Sequence, residues 1–350
     1  MTILLAVLLI LTSFYVLALV TEHYFVPAID IIANKLKISS DAAGATLLAM
    51  GSSAPEFFTS LVAVLGITGG DHADIGAGAI VGSAIFNVLV IIGVAAMFKT
   101  VTIQWQPVSR DLAFYVITIL LLLYVFRDGA VTIQEAIMFV ITYGIYVFSV
   151  TKWRNWFSYD DVPAPEEVES IPVNGIQGSI HKGLQLVLPD VHKNPHRYIV
   201  TFLMCIAFIA GLSWLLVEQV VFIADTLHIN ATFLALTVLA AGTSVPDLIG
   251  SIVVAKQGRG DMAVSNAIGS NIFDVLFGLG FPWLVVLAWR GGTIAVGNEN
   301  LQSSVILLFA TVIAIITMLI ARRWKIGRYS GLLLVGLYIA YCIFISVSSL

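Results

Sequence analysis

Leu48-Ala49-Met50-Gly51-Ser52-Ser53-Ala54-Pro55-Glu56 interrupts an apolar run, and Leu239-Ala240-Ala241-Gly242-Thr243-Ser244-Val245-Pro246-Asp247 repeats it 191 residues later. Each copy sets glycine, two hydroxyls, proline and an acid at matching places. A second block follows each copy. Gly82-Ser83-Ala84-Ile85-Phe86-Asn87 is matched by Gly269-Ser270-Asn271-Ile272-Phe273-Asp274, at an offset of 187 residues. The residues that recur include polar ones, so the duplication preserves a site as well as a scaffold.

The surroundings of these blocks name the solvent. Of 350 residues, 59 % are hydrophobic and 11 % charged, against about 45–50 % and about 25 % in ordinary soluble domains. Mean hydropathy is +0.99. That excess points to a bilayer, with about 20 residues per crossing helix. Apolar runs cut at polar clusters predict ten spans, near 2–28, 40–65, 75–97, 108–126, 130–151, 198–217, 230–254, 262–289, 301–321 and 329–348. The fold class expected is an all-α polytopic membrane protein. Its parts are a first half (1–151), a cytoplasmic linker (152–197) and a second half (198–350). No Lys or Arg precedes Lys35, so the first apolar stretch reads as a retained span and not a secretory signal. The net charge of −4 offers no basic face to nucleic acid. Two cysteines, Cys205 and Cys342, make neither a disulfide framework nor a zinc site. No enzyme activity and no cofactor are expected.

Basic residues fix the orientation. Loops after odd-numbered spans hold fifteen Lys and Arg, whereas the others hold only Arg127 and Arg290. The positive-inside rule then places the odd loops in the cytoplasm and both termini outside. Spans 2 and 7 are five crossings apart, so the two copies of the motif enter from opposite sides. Inverted repeats with polar, Gly/Pro-broken helices at matching positions mark secondary transporters.

The motif has a definite chemistry. Pro55 and Pro246 lack the N–H that would bond Gly51 and Gly242, which frees carbonyls in mid-span. A hydroxyl precedes an acid or amide by one turn four times: Ser52 and Glu56, Ser83 and Asn87, Thr243 and Asp247, Ser270 and Asp274. Residues at i and i+4 share a helix face. Around a pseudo-two-fold these eight groups would converge near the midplane. An all-oxygen set selects hard cations such as Ca2+, Na+ or K+. Glu56, Asp247 and Asp274 lie deep in apolar spans, where insertion of a carboxylate costs about 2.5–3.5 kcal/mol. No Lys or Arg is placed to offset them, so bound cations or protons must.

These residues resemble the cation/calcium exchanger superfamily, whose two alpha repeats carry this Gly-Ser/Thr-Ser-x-Pro-Glu/Asp signature. They are most similar to its potassium-dependent sodium/calcium exchangers. The resemblance runs from Gly44-Ala45-Thr46 through Glu56-Phe57-Phe58-Thr59-Ser60-Leu61 to Asn87, and from Ala240 through Gly260-Asp261-Met262-Ala263 to Asp274 and Pro282-Trp283. It implies an inverted 5+5 fold of ten transmembrane helices and alternating access. Glu56 and Asp247 would then be the central Ca2+ ligands, flanked by Asn87 and Asp274. Ser52, Ser53, Ser83, Thr243, Ser244, Ser270 and the carbonyls of Ala49 and Ala240 would line Na+ sites. The position of Asp274 is Asp in potassium-dependent members and Asn in animal potassium-independent ones. Ser270 and Asn271 offer further oxygen there, so K+ co-transport is a part of the expectation. The middle loop lacks a large calcium-sensing domain.

The function expected is Na+/Ca2+ antiport across the cell membrane, in contact with lipid. A proton/calcium exchanger is the alternative, since the same carboxylates can carry protons, and a cation channel or magnesium transporter stands further off. Other motifs fit less well. Gly258-Arg259-Gly260-Asp261 matches a GxGD protease pattern but sits in a loop by this reading, and the Tyr159-Asp160 pair lies in the linker. Glu166, Glu167 and Glu169 lack EF-hand spacing and read as a solvated linker. Asn230-Ala231-Thr232 matches a glycosylation acceptor by chance. His72 and His228 have no metal spacing.

The charge alternation predicts that single cysteines at Gly69 and Gly175, with Cys205 and Cys342 replaced, label from opposite sides of the membrane. Labelling of both from outside intact cells contradicts the topology.

Overall fold

The structure is a computed structural model, which describes residues 2–35, 49–66, 73–98, 101–103, 105–157, 183–185, 187–191, 193–256, 260–296 and 299–348. Several features read from the sequence lie outside those residues: the start of the second span (40–48), His72, Gly69, Gly175, Tyr159-Asp160 and the Glu166–Glu169 run. Asp30, Ala49 and Asp261 are placed by backbone alone.

Helices account for nearly all of what is described. Eight are long and apolar enough to cross a membrane: Ile3–Ile29, Ala73–Phe98, Trp105–Val125, Ile133–Trp153, Pro195–Leu227, Ala263–Arg290, Leu301–Ala321 and Arg328–Val347. Two shorter apolar helices, Ala54–Leu65 and Ala231–Thr243, occupy the second and seventh expected positions. Each is one side of a break that falls inside the repeated motif: Ala54–Leu65 starts just after the break and Ala231–Thr243 ends just before it. Backbone polar groups in lipid must be satisfied internally, so the long helices run without interruption where they face lipid. Leu8, Leu11, Ile145, Leu203 and Ile343 are among the apolar side chains left on the outer surface.

Boundaries follow local chemistry. Thr132 and Glu135 form a reciprocal capping box that starts the Ile133–Trp156 helix. The sixth helix continues past the expected end at 217 and stops at Leu227, where His228 takes the left-handed conformation at φ 55°. Asn230 caps the next helix, accepting a 2.8 Å bond from Thr232 N, which gives the glycosylation-like triplet a structural job. Asp261 belongs to the Gly260–Phe273 helix and not to a loop, because that helix begins one residue earlier.

Arg110, one of the fifteen basic residues assigned to loops after odd-numbered spans although it borders the span expected at 108–126, also departs from expectation. It is not a loop cation; it lies inside the Trp105–Val125 helix and is only 6 % exposed. Asp111 accepts from its Nε and Nη2, both at 2.8 Å, and the Trp153 ring lies 5.9 Å from its guanidinium. Paired in this way, the charge tolerates burial. The linker is not wholly solvated either, for Leu184 and Leu188 are buried against Phe25, Ile29, Cys205 and Ile209.

The two halves interlock. The third helix packs against the seventh at Gly82, where an added Cβ would meet Ala240 Cβ at 2.6 Å and collide with the Leu236 carbonyl. The third and tenth cross at Gly93 and Gly331 in the same manner. Small residues at such crossings let backbones approach where lipid gives no hydrophobic drive. Two short antiparallel pairs tie the ends: Val101–Thr102 with Lys325–Ile326, and Ala130–Val131 with Ile294–Ala295. Each joins a strand of the first half to one of the second. The first and sixth helices pack on each other and the sixth packs on Ala54–Leu65, in an apolar cluster separate from the main one.

Gly82→Ala should cost about 1–3 kcal/mol through overpacking and lower the melting temperature in detergent. Gly144→Ala, with nothing near the added methyl, should not. Equal melting temperatures would remove the close approach as a stabilising contact.

Candidate functional site

The second and seventh helices break one residue before their prolines allow a new start. Ala49–Ser52 ends at Ser53 (φ −90°, ψ 10°), and Ala54–Leu65 begins with Pro55 in its first turn. Ala240–Thr243 ends at Ser244 (φ −84°, ψ 3°), and Val245–Lys256 follows. Glu56 and Asp247 thus sit in the first turns of half-helices, the end where backbone N–H groups favour an anion. The third and eighth helices are matched in another way. Each widens into a π-helical segment, Asn87–Ile91 and Asp274–Leu279, whose first residue is the polar one. Such bulges recur at functional sites, and here they turn Asn87 and Asp274 out of register with the regular helix.

Packing brings the pieces together crosswise. Ala54–Leu65 lies against the Asp274–Leu279 segment, and Val245–Lys256 lies against Asn87–Ile91. Each acid of one half therefore faces the bulge of the other. Glu56, Ser53, Ser83, Asn87, Ser270, Asn271, Asp274 and Ser244 are fully enclosed, and Asp247 and Thr243 nearly so. Ser52 is partly exposed.

The hydroxyl–acid pairs expected within each helix form between halves instead. Ser244 Oγ donates to Glu56 Oε1 at 3.2 Å and shares a 2.6 Å bond with Ser83 Oγ. Thr243 also lies beside Glu56. Ser52 and Asn266 lie beside Asp247, and Ser53 beside Asp274. For Ser52 and Thr243 the physical reason is the break: once the helix restarts at the proline, residues four apart no longer stack on one face. Glu56 and Asp247 are electrostatic neighbours, and Asp274 is within reach of both.

The carbonyls are less free than the prolines suggested. Ser244 N–H is shared between Ala240 O and Gly242 O, and Thr243 Oγ1 donates to Leu239 O and Ala240 O. The helix relaxes locally and covers the acceptors that Pro246 leaves.

Carboxylate oxygens, by contrast, stay bare. Glu56 Oε2, both oxygens of Asp247, both of Asp274, Asn87 Oδ1 and Ser53 Oγ are buried without a hydrogen bond of full geometry. Buried polar atoms are ordinarily paired, so this cluster is a set of acceptors awaiting a donor or a cation. Among the described residues, no three His, Cys, Asp or Glu side chains stand close enough to hold one metal ion. A cation here therefore takes mixed donors, with hydroxyl and amide oxygens between the acids.

Sequence reasoning missed four residues. Asn266 lies one turn before Ser270 and had no counterpart in the first half to flag it. Tyr115, on the fourth helix, reaches the site from outside both repeats, and nothing in an apolar span marks one tyrosine over another. Thr59 and Ser251, one turn beyond the two acids, are buried with unbonded hydroxyls; their spacing from Glu56 and Asp247 was readable.

Known proteins resemble the whole chain. The family model described as sodium/calcium exchanger protein matches residues 6–152 and 197–347. Human sodium/potassium/calcium exchanger 2 is 26 % identical, with 94 % of this chain and 76 % of that protein covered. Human sodium/potassium/calcium exchanger 5 is 30 % identical over 93 % of this chain and 79 % of its own length. Among solved structures, an H+/Ca2+ exchanger, CAX, superposes with a TM-score of 0.73 at 16 % identity, covering 98 % of this chain and 85 % of that one. The sodium-calcium exchanger NCX_Mj gives 0.60 at 23 % identity, covering 100 % and 99 %. At those identities the likeness is one of fold.

Asp274→Asn removes an unpaired buried charge and should leave the cation-free melting temperature unchanged or raise it. Ser244→Ala strands Glu56 Oε1 and should cost about 1–3 kcal/mol. The reverse order in thermal melts of the purified variants contradicts the described site.

Proposed function

The chain belongs to the sodium/calcium exchanger protein family, and on that premise we propose that Glu56 and Asp247 form the centre of a site that Ca2+ and Na+ occupy in turn. The protein is a secondary antiporter exchanging Na+ for Ca2+. The observation that carries this reading is the set of buried, unbonded carboxylate oxygens, with no basic side chain beside them among the described residues. In our reading Ca2+ takes oxygens from Glu56 and Asp247, with Asn87 Oδ1 and Asp274 flanking. Na+ takes hydroxyl oxygens of Ser52, Ser53, Ser83, Thr243, Ser244 and Ser270 with the carbonyls of Ala49 and Ala240, after the coverings on Ala240 shift. Because those hydroxyls stand beside the same acids, Na+ there draws on the charge that Ca2+ uses, and occupation by one repels the other.

Ten crossings, an inverted 5+5 arrangement, both termini outside and residence in the cell membrane complete the proposal. Matched breaks at Ser53 and Ser244, matched π segments and the crosswise packing support it. Alternating access follows from a single site between oppositely directed half-helices: it opens to one side at a time, so Ca2+ movement needs an exchangeable ion on the far side.

K+ is the third ion of the proposal. Three acids carry three negative charges, and one Ca2+ leaves one unbalanced. Asp274 has both oxygens unbonded, and the curated relatives are named sodium/potassium/calcium exchangers.

Glu56→Gln and Asp247→Asn should fold and abolish Ca2+ flux in liposomes. Normal flux in either variant contradicts the assignment. Wild-type flux should rise with K+ on the Ca2+ side, and Asp274→Asn should transport while losing that response. Flux driven by a pH gradient and indifferent to Na+ would make the protein a proton/calcium exchanger instead.

A further inference from the structure

The hydrogen bonds around Asn271 determine one another. Ala84 O accepts a 3.0 Å bond from the Asn271 amide. A carbonyl only accepts, so the atom facing it is Nδ2. The second Nδ2 proton goes to Tyr115 OH at 2.8 Å. Asn271 Oδ1 must then face Asn87, where it accepts from Asn87 Nδ2 at 2.9 Å. The other Asn87 proton points at Ser270 Oγ, 3.4 Å away. With both donors of Asn87 directed to the protein, its Oδ1 is the atom left over, buried and without a partner. Both donors of Asn271 are used within the protein and its oxygen is already engaged, so its geometry suits a strut better than an ion ligand.

We infer that Tyr115, fully buried on the fourth helix and outside both repeated motifs, is a positioning residue: acting through Asn271, it fixes the Asn87 amide so that Oδ1 is presented to Ca2+. Without the Tyr115 hydroxyl, one Asn271 N–H is stranded in an apolar wall. A full rotation of the Asn271 amide would set Oδ1 against Ala84 O, so the amide keeps that bond and tilts into the space the hydroxyl leaves, which draws its Oδ1 away from Asn87 Nδ2. The Asn87 amide, no longer held at 2.9 Å, can then turn and offer an N–H where a cation needs an oxygen. The chain of four groups spans both halves, so the selectivity of a residue in the first half is set from the fourth helix through the second half. This inference rests on the reading of the cluster as a Ca2+ site.

The test is Ca2+ binding to the purified full-length protein in detergent, followed with radiolabelled Ca2+ and by the Ca2+-dependent rise in melting temperature. Tyr115→Phe should weaken Ca2+ binding at least about fivefold, the lower end of what a lost buried hydrogen bond costs, and should lower the Ca2+-free melting temperature as well, because it strands a buried N–H. Tyr146→Phe, whose hydroxyl bonds Asp111 at 3.2 Å and not the site, should bind Ca2+ as the wild type does. In an Asn87→Ala background, Tyr115→Phe should have no further effect. Wild-type affinity in Tyr115→Phe overturns the inference, as does an equal loss with and without Asn87. Should Tyr115→Phe not fold, Asn271→Ala decides the point: a ligand still loses affinity in the Asn87→Ala background, whereas a strut does not. Absence of saturable Ca2+ binding by the wild type would instead remove the reading of the site itself.

Discussion

The structure depends on keeping three carboxylates in a place that opposes charge. Each of Glu56, Asp247 and Asp274 carries a desolvation cost of about 2.5–3.5 kcal/mol at mid-membrane. A structural role would call for partners, and the protein supplies few: one hydroxyl bond to Glu56 and none of full geometry to the other two acids. A basic residue beside them would remove the cost and the function together. The only buried cation among the described residues, Arg110, is held by its own neighbour Asp111. In the proposed reading mobile cations balance that charge, and relief of the acids' desolvation cost contributes to their affinity.

The backbone features serve that arrangement. Proline at matching places breaks two helices so that the acids start new turns. The π segments reset the register of two more helices so that an amide and an acid point inward. Glycine at position 82 lets the third and seventh helices approach closely enough for Ser83 and Ser244 to bond. Each device weakens a local element, and the long regular helices around them bear the loss. In the proposed cycle, alternating access would need no large rearrangement of the site, only a change in which half-helix end is open.

Much of this was legible from residues alone. The repeat, the broken spans and the acids with their hydroxyls announce themselves, because a bilayer leaves no other reason for polar groups in such stretches. Resemblance to a known family sharpened the ion identities. What could not be read is the pairing. Hydroxyls four residues before an acid imply contact within one helix, and the break redirected them across the halves. Arg110 looked like a loop charge because Asp111 beside it reads as another loop residue; only packing shows the two buried together. Tyr115 carried no pattern, since its role depends on which helix lies opposite.

Competition between the two ions at the shared carboxylates is the central claim. The direct measurement is equilibrium binding of radiolabelled Ca2+ to the purified wild-type protein during a Na+ titration at constant ionic strength. The account predicts saturable Ca2+ binding that Na+ displaces completely, with a steep dependence because more than one Na+ replaces each Ca2+. Ca2+ binding that persists unchanged through the Na+ titration would contradict it.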